Sequence, residues 1–529
     1  MNRIIRDASL SICFGILFLT GLSNKTSSGQ EKKPTRVANE TALGDLKLEQ
    51  VDFKKRNFWI SPDSRHYAFI EAGATLTVDG KKQEFGGTAN NGKGNIFSFS
   101  PDSQHFVYVG QDKDGKQWVY LDGKPLGIGH NFVAAPPVFS PDSKHIAYTC
   151  RRYVGGGTKY FLVIDDKDRE TYDEGTTWNI TWSGDSQRVV LGIEKENKYL
   201  MREVSIDSAT PAIEHKHGPA NLQLNPIRGN QGQLGYLAKD EQGQFLFFDG
   251  KEWGKGFKEI KRGNIVFSDE GKEVAMMGEI SSFRDAVWHK GKMGNVSSDM
   301  EDETIAISAD GSRVGYVVEK FNKARAVIDG VEGKEFKEVA GITFSLDSKK
   351  VAYRALSGDK FVLVINGVEG PGYDGMNLPT FSPDSKSVFC AASQGESQFV
   401  LLDGQPTIGG TPQKAYSKVI STLFSPKGKH VLYLGETGGK KIIVDNGKPL
   451  ESHDGAVDQY FFSDDESLLA YIAAIGEEEM VLINGAPGNK YETIMTMGGG
   501  SVIFDGIEKM HYMAIKGGKL LLVEEQLGQ

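Results

Sequence analysis

His215 and His217 carry the sharpest chemical possibility in the sequence. Side chains two residues apart share one face of an extended strand, so this spacing lets two imidazoles reach a single cation. No third ligand accompanies them, so no metal or other cofactor is expected, and the pair is read as part of a binding loop. Four more histidines (His66, His105, His145 and His430) each follow a Pro-Asp-Ser-type turn at one repeated position. Equivalent positions in a repeating array point in different directions, so these four read as strand starts. Asp112-Lys113-Asp114-Gly115 resembles half a calcium loop without the bidentate glutamate that would end it. It reads as a polar hairpin turn, as does Asp165-Asp166-Lys167-Asp168. The sequence contains no Gly-x-Ser-x-Gly, HExxH or phosphate-binding loop, which argues against familiar catalysis. All six tryptophans lie between Trp59 and Trp288. Trp182 occupies a core position, whereas Trp59 and Trp178 are placed to offer flat faces to sugars or peptide side chains. The candidate binding residues are therefore Trp59, Trp178, His215 and His217.

The elements that must position these residues come from an internal repeat. Phe-Ser-Pro-Asp-Ser, or a variant of it, recurs with its first serine or equivalent at 61, 100, 140, 183, 225, 268, 308, 345, 382, 425, 463 and 505. An apolar residue precedes each anchor, and a turn follows it, in its fullest form Pro-Asp-Ser-Lys. Next comes an alternating strand such as His145-Ile146-Ala147-Tyr148, a Gly-rich hairpin, and a second apolar strand. That strand runs into Asp-Gly or Asn-Gly, as at Asp79-Gly80, Asp122-Gly123 and Asn366-Gly367, the strongest short hairpin signal. The 64 glycines among 529 residues fit so many tight turns.

Four short antiparallel strands per roughly forty residues describe the blade of a β-propeller, and helical repeats are excluded by the period-2 alternation. Twelve blades exceed the four to eight of an ordinary ring, so the expected architecture is all-β with two six-bladed propellers in tandem. The first would cover residues 46–298 and the second 299–529, with the seam at the acidic stretch Ser297–Glu303. A seven-plus-five split and one large ring stay open. The last unit ends one strand short, and spare strand-like sequence at 46–56 is available to complete a blade. The units resemble the TolB-type β-propeller repeat, a WD-like class marked by Pro-Asp-Ser or Pro-Asp-Gly; Ser-Pro-Asp-Ser is intact from Ser61, Ser100, Ser140 and Ser382. That resemblance implies the fold and an exported bacterial protein. It covers residues 55–525, leaving no room for TolB's N-terminal α/β domain, so TolB's own role is not carried over.

The chain's start reads as an export signal over residues 1–29. Arg3 and Arg6 precede an apolar run from Ala8 to Leu22, and small residues allow cleavage after Ser23 or, by preference, Gly29. Residues 30–45 are expected to form a disordered leader, and no membrane span is expected once the signal is gone. Cys150 and Cys390 then remain, both in apolar strand sequence and expected to be buried and inert. The net charge of −9, without a basic block, argues against nucleic acid. The expected function is a periplasmic or secreted monomeric scaffold that binds a protein, peptide or cell-envelope glycan through loop faces and channel. The alternative is a lyase or hydrolase acting on sugars or lactones at a channel site, with Asp173 or His217 among its residues.

Overall fold

The computed structural model describes residues 35–46, 57–71, 75–83, 97–172, 177–195, 198–214, 227–228, 234–248, 251–282, 284–297, 300–408, 411–412, 414–450 and 455–528. The apolar Ala8–Leu22 stretch, Asp173, His215 and His217 lie outside them.

Twelve small antiparallel sheets follow one another along the chain, numbered here as blades 1 to 12. Blade 3 shows the pattern: Phe132–Phe139, Ile146–Val154, Gly157–Ile164 and Lys167–Tyr172 pair in chain order. The middle strands carry continuous buried runs, Ile146–Cys150 and Phe161–Ile164, because both their faces are covered there. Ile146, Tyr148 and Cys150 pack with Val107, Val109 and Val119 of blade 2. Ala147, between them, turns to Trp182, Val189 and Leu191 of blade 4. Burying each such aliphatic or aromatic side chain contributes roughly 1.5–3 kcal/mol, and this stacking is what an isolated blade lacks. The Asp-Gly and Asn-Gly pairs form the expected turns: Asp79 and Gly80 have φ of 47° and 74°, and Asn366 and Gly367 have 50° and 80°. Positive φ at both central residues matches the right-handed twist of the flanking strands.

The blades form one ring of twelve rather than two rings of six. Blade 6 packs on blade 7 through Ala275, Met277, Val287, Val314 and Tyr316, as any other neighbours do. Blade 12 packs on blade 1 through Met495, Met513, Ile515, Phe58, Ile60 and Tyr67. Contacts thus run across the expected 298/299 seam and close between the chain's two ends.

Closure also corrects the leader assignment. Thr35–Asp45 is not disordered; it is the outer strand of blade 12, paired antiparallel with Lys519–Gly528 from Thr35↔Gly528 to Asp45↔Lys519. An unpaired edge there would expose a row of backbone donors and acceptors. The strand that completes the last blade therefore lies before the expected 46–56. Arg36 fastens it: its guanidinium donates to both carboxylate oxygens of Glu525 at 2.6 and 2.7 Å, and to the carbonyls of Val481 and Ala486 in blade 11. Blade 9 is the irregular unit. Its inner strand is split into Gly375–Met376 and Thr380–Phe381, and a separate Thr407–Ile408/Thr411–Pro412 hairpin follows its third strand.

Among the described residues no helix is long and apolar enough to cross a membrane.

Candidate functional site

The antiparallel blade divides the ring into two faces. The turns after the anchors and the Asp-Gly hairpins share one, the turn face. The hairpins between second and third strands share the other, the loop face, with the links between blades.

On the turn face the repeated polar residues hold one another. In blade 1, Ser61 Oγ donates to Asp63 Oδ1 at 2.5 Å and accepts from the His66 amide at 2.9 Å, while Asp63 Oδ1 also accepts from the Arg65 amide. Where a turn carries a second serine, that serine works across the interface: Asp63 N–H donates to Ser103 Oγ, Asp102 N–H to Ser143 Oγ, and Asp142 N–H to Ser186 Oγ. The same bond recurs from Asp310 to Ser348 and from Asp347 to Ser385, and Ser501 N–H donating to Ser64 Oγ closes the circle. The Ser100 hydroxyl, followed by the Gln104 amide, holds the Asp102 carboxyl below its usual range. The four repeated histidines are tied down here as well. His66, His105, His145 and His430 place Nδ1 2.7–2.8 Å from Asp79, Asp122, Asp165 and Asp445, the aspartates of their own hairpins.

Blade 10 departs from this scheme, since its turn reads Ser425-Pro426-Lys427-Gly428 and lacks the aspartate. Glu466 of blade 11, 3% exposed and standing where a serine is usual, supplies the missing carboxylate from across the interface. It accepts from the Ser425 hydroxyl at 2.7 Å, the Lys429 amide at 3.2 Å and the Lys427 amide.

The loop face carries the concave site. A cleft of about 510 Å³ opens between the link entering blade 6, the second hairpin of that blade and the link entering blade 7. Glu259, Glu279, Asp285 and Asp302 line it with Lys258, Lys261, Asn264 and Met300. A single turn of 3-10 helix, Arg262–Asn264, shapes its floor. Asn264, buried, donates to Asp302 at 3.1 Å and accepts from the Glu303 amide at 2.6 Å, which pins the two links together. Lys258 pairs with Glu279 at 2.7 Å, and Lys261 pairs with Asp302. That pair raises Lys261 above the usual lysine range and lowers Asp302. The Asp285 carboxyl is pushed up, first by burial and then by the charges of Asp302 and Glu279. Both lysines are thus neutralised, and Glu259 and Asp285 have no ion pair among the described residues.

The sequence-derived candidates fall elsewhere. Trp59 packs against Phe97 at 5.1 Å between ring centroids, within the cluster joining blades 1 and 2. Trp178 belongs to the strand Thr177–Trp182 of blade 4, with its side chain outside the described residues, like His215 and His217. Cys150 and Cys390 are buried, and burial pushes their thiols up to about 11 and about 12. The cleft escaped sequence reading because its residues come from loops that do not repeat. Its one signal is the acidic stretch 297–303, which supplies Met300 and Asp302 rather than a seam between rings.

No protein-family model matches the chain, and no curated protein matches it. Solved structures do. A structure described as that of the eukaryotic initiation factor aligns over 82% of this chain and 91% of its own, at 14% identity and a TM-score of 0.28. TolB from Acinetobacter baumannii aligns over 59% and 87%, at 12% identity and 0.23. The Dos1 propeller aligns over 66% and 92%, at 11% identity and 0.28.

Proposed function

We propose that this chain is an exported binding scaffold built from TolB-type repeats, which presents its loop face to a protein, peptide or cell-envelope glycan. One observation carries the reading. The repeated hydroxyls, carboxylates and imidazoles are engaged with one another on the turn face, whereas the loop face holds irregular links and a charged cleft of about 510 Å³. Loops set on a rigid frame are where recognition ordinarily resides. The basic start and apolar run of residues 3–22 support export to the periplasm or beyond, and the net charge of −9 disfavours polyanions as partners.

The test is capture from a cell-envelope extract on the immobilised protein, with protein and carbohydrate both identified. Because the ring closes between its two ends, the bait is the whole ring, not its halves. The expected result is a discrete partner lost when the loop-face hairpins are exchanged for short Asn-Gly turns. An eluate no different from that of blank resin would overturn the scaffold reading.

A further inference from the structure

Resting on that reading, we infer that the cleft at blades 5 to 7 receives a lysine or arginine side chain of an extended peptide segment, with an apolar residue of the same segment settling on Phe321. The cleft has the size of a site for a side chain and its flanking backbone rather than for a whole domain. Its charge selects the occupant. With Lys258 and Lys261 neutralised by Glu279 and Asp302, the carboxylates of Glu259 and Asp285 remain to meet a cation. Glu301, next in the same link, adds to the negative field together with Glu319. An anionic segment would meet the two unpaired carboxylates, Glu259 and Asp285, a repulsive arrangement that discriminates as well as attracts.

Phe321 supplies the second contact. It stands at the tip of the blade 7 hairpin on the same face, 89% exposed, with the Lys320 ammonium 5.7 Å from its ring centroid. Its backbone is left-handed, with φ of 53°, and Asn322 follows at 59°, so the tip holds a bulky side chain outward. The two features are joined through Met300, which lines the cleft and bridges to Val318, three residues before Phe321. At about 3.3 Å per residue, that separation spans about 10 Å of strand. The matching segment therefore carries its apolar residue about three positions from its basic one.

The experiment is calorimetric titration of the purified protein with short capped peptides. The probes are Leu-Gly-Gly-Lys, Gly-Gly-Gly-Lys and Leu-Gly-Gly-Glu. The lysine peptides are expected to bind saturably and more weakly as salt rises, and the glutamate peptide not to bind. Asp285→Asn should weaken the lysine peptides about fivefold, and Asp285→Asn with Glu259→Gln more than about tenfold. Phe321→Ser, at an exposed tip, should abolish the advantage of leucine over glycine and leave the Gly-Gly-Gly-Lys affinity unchanged. No saturable lysine binding, or binding untouched by the double substitution, overturns the inference. A leucine advantage that survives Phe321→Ser overturns the part played by that residue. A partner captured equally by wild type and by the double variant would sink this inference while the scaffold reading stands.

Discussion

The exchange of carboxylate between blades 10 and 11 makes a prediction that ordinary burial arguments would not. In blades 1, 2, 3, 7 and 8 the aspartate of the turn serves its own serine, and the next blade's serine serves the aspartate's amide. At blade 10 both services come from Glu466, which meets the Ser425 hydroxyl and the amides of Lys427 and Lys429. Glu466→Ser would leave the Lys427 amide an acceptor of the usual kind but strand the other two donors, beside a serine that is 0% exposed. Losing a buried partner costs roughly 1–3 kcal/mol, so the substitution is expected to cost about 2–4 kcal/mol. Lys427→Asp alone should also destabilise, because it places a second carboxylate beside the same hydroxyl. Combined, the two changes restore the arrangement of the other blades and should recover most of the loss, a coupling of about 2 kcal/mol or more. Thermal unfolding of the four proteins, with hydrogen exchange of the amides at 427 and 429, reads both the energy and its location. Effects that add to within about 0.5 kcal/mol would refute the account.

Arg36 should be the most sensitive residue of the closing strand. Its side chain is 7% exposed against 1% for that of Glu525, and Arg36→Met would leave that carboxylate buried with Tyr512 as its one partner among the described residues, at about 3–5 kcal/mol. Faster hydrogen exchange throughout Lys519–Gly528 is expected, and unchanged protection there would contradict the clasp. His130, 1% exposed and 3.2 Å from the Tyr148 hydroxyl, is pushed down to about 4 by burial and then by Arg152. Since its folded value lies below the ordinary 6.5, its contribution is present above pH 6.5 and lost as pH falls toward 4, for a total of about 3 kcal/mol. His130→Gln should flatten the acid side of the melting profile across that window; an unaltered slope would show that the imidazole takes up its proton equally in the folded and unfolded states. Cys150 and Cys390 should resist alkylation at pH 8 until denaturant is added, and rapid labelling of the native protein would contradict their burial.

What the sequence discloses and what it hides divide along physical lines. Phe-Ser-Pro-Asp-Ser and Asp-Gly are legible because each codes a local conformation: a serine bonding back to the amide five residues on, or two successive residues at positive φ. Largely apolar runs such as Ile146–Cys150, every residue of which is buried, disclose strands covered on both sides. Strand Thr35–Asp45 is hidden because its side chains are mostly exposed, and its pairing lies in backbone bonds to a segment at the far end of the chain. The cleft is hidden for a different reason: Glu259 and Asp302 come from two links between blades and Glu279 and Asp285 from the paired ends of two strands, and no spacing rule joins them. Trp59 misleads because aromatic surface at the edge of a blade is also what the neighbouring blade needs, here Phe97.

The number of rings is the instructive case, since a period of forty residues specifies the blade and not the angle between blades. Closing twelve in one cycle requires only about 30° between neighbours, half the turn that six would need. At so shallow an angle adjacent sheets lie nearly face to face along their whole width, which suits the broad clusters at every interface, including those at 6–7 and 12–1. It also means that no crowding at the axis enforces closure. The angle has to be fixed at each interface separately, and serine-to-amide bonds on the turn face do this between blades 1–2, 2–3, 3–4, 7–8, 8–9 and 12–1. The loop-face ends carry a tie of their own at several interfaces: Gln117, Gln244 and Gln398 accept from the amides of Val133, Ile260 and Val419 in the following blade, and Glu479 accepts from that of Ile494. Both faces therefore help to set the angle, and in the cleft Asn264 pins the links into blades 6 and 7, so the carboxylates free to meet a partner there are Glu259 and Asp285 rather than the residues that hold the frame.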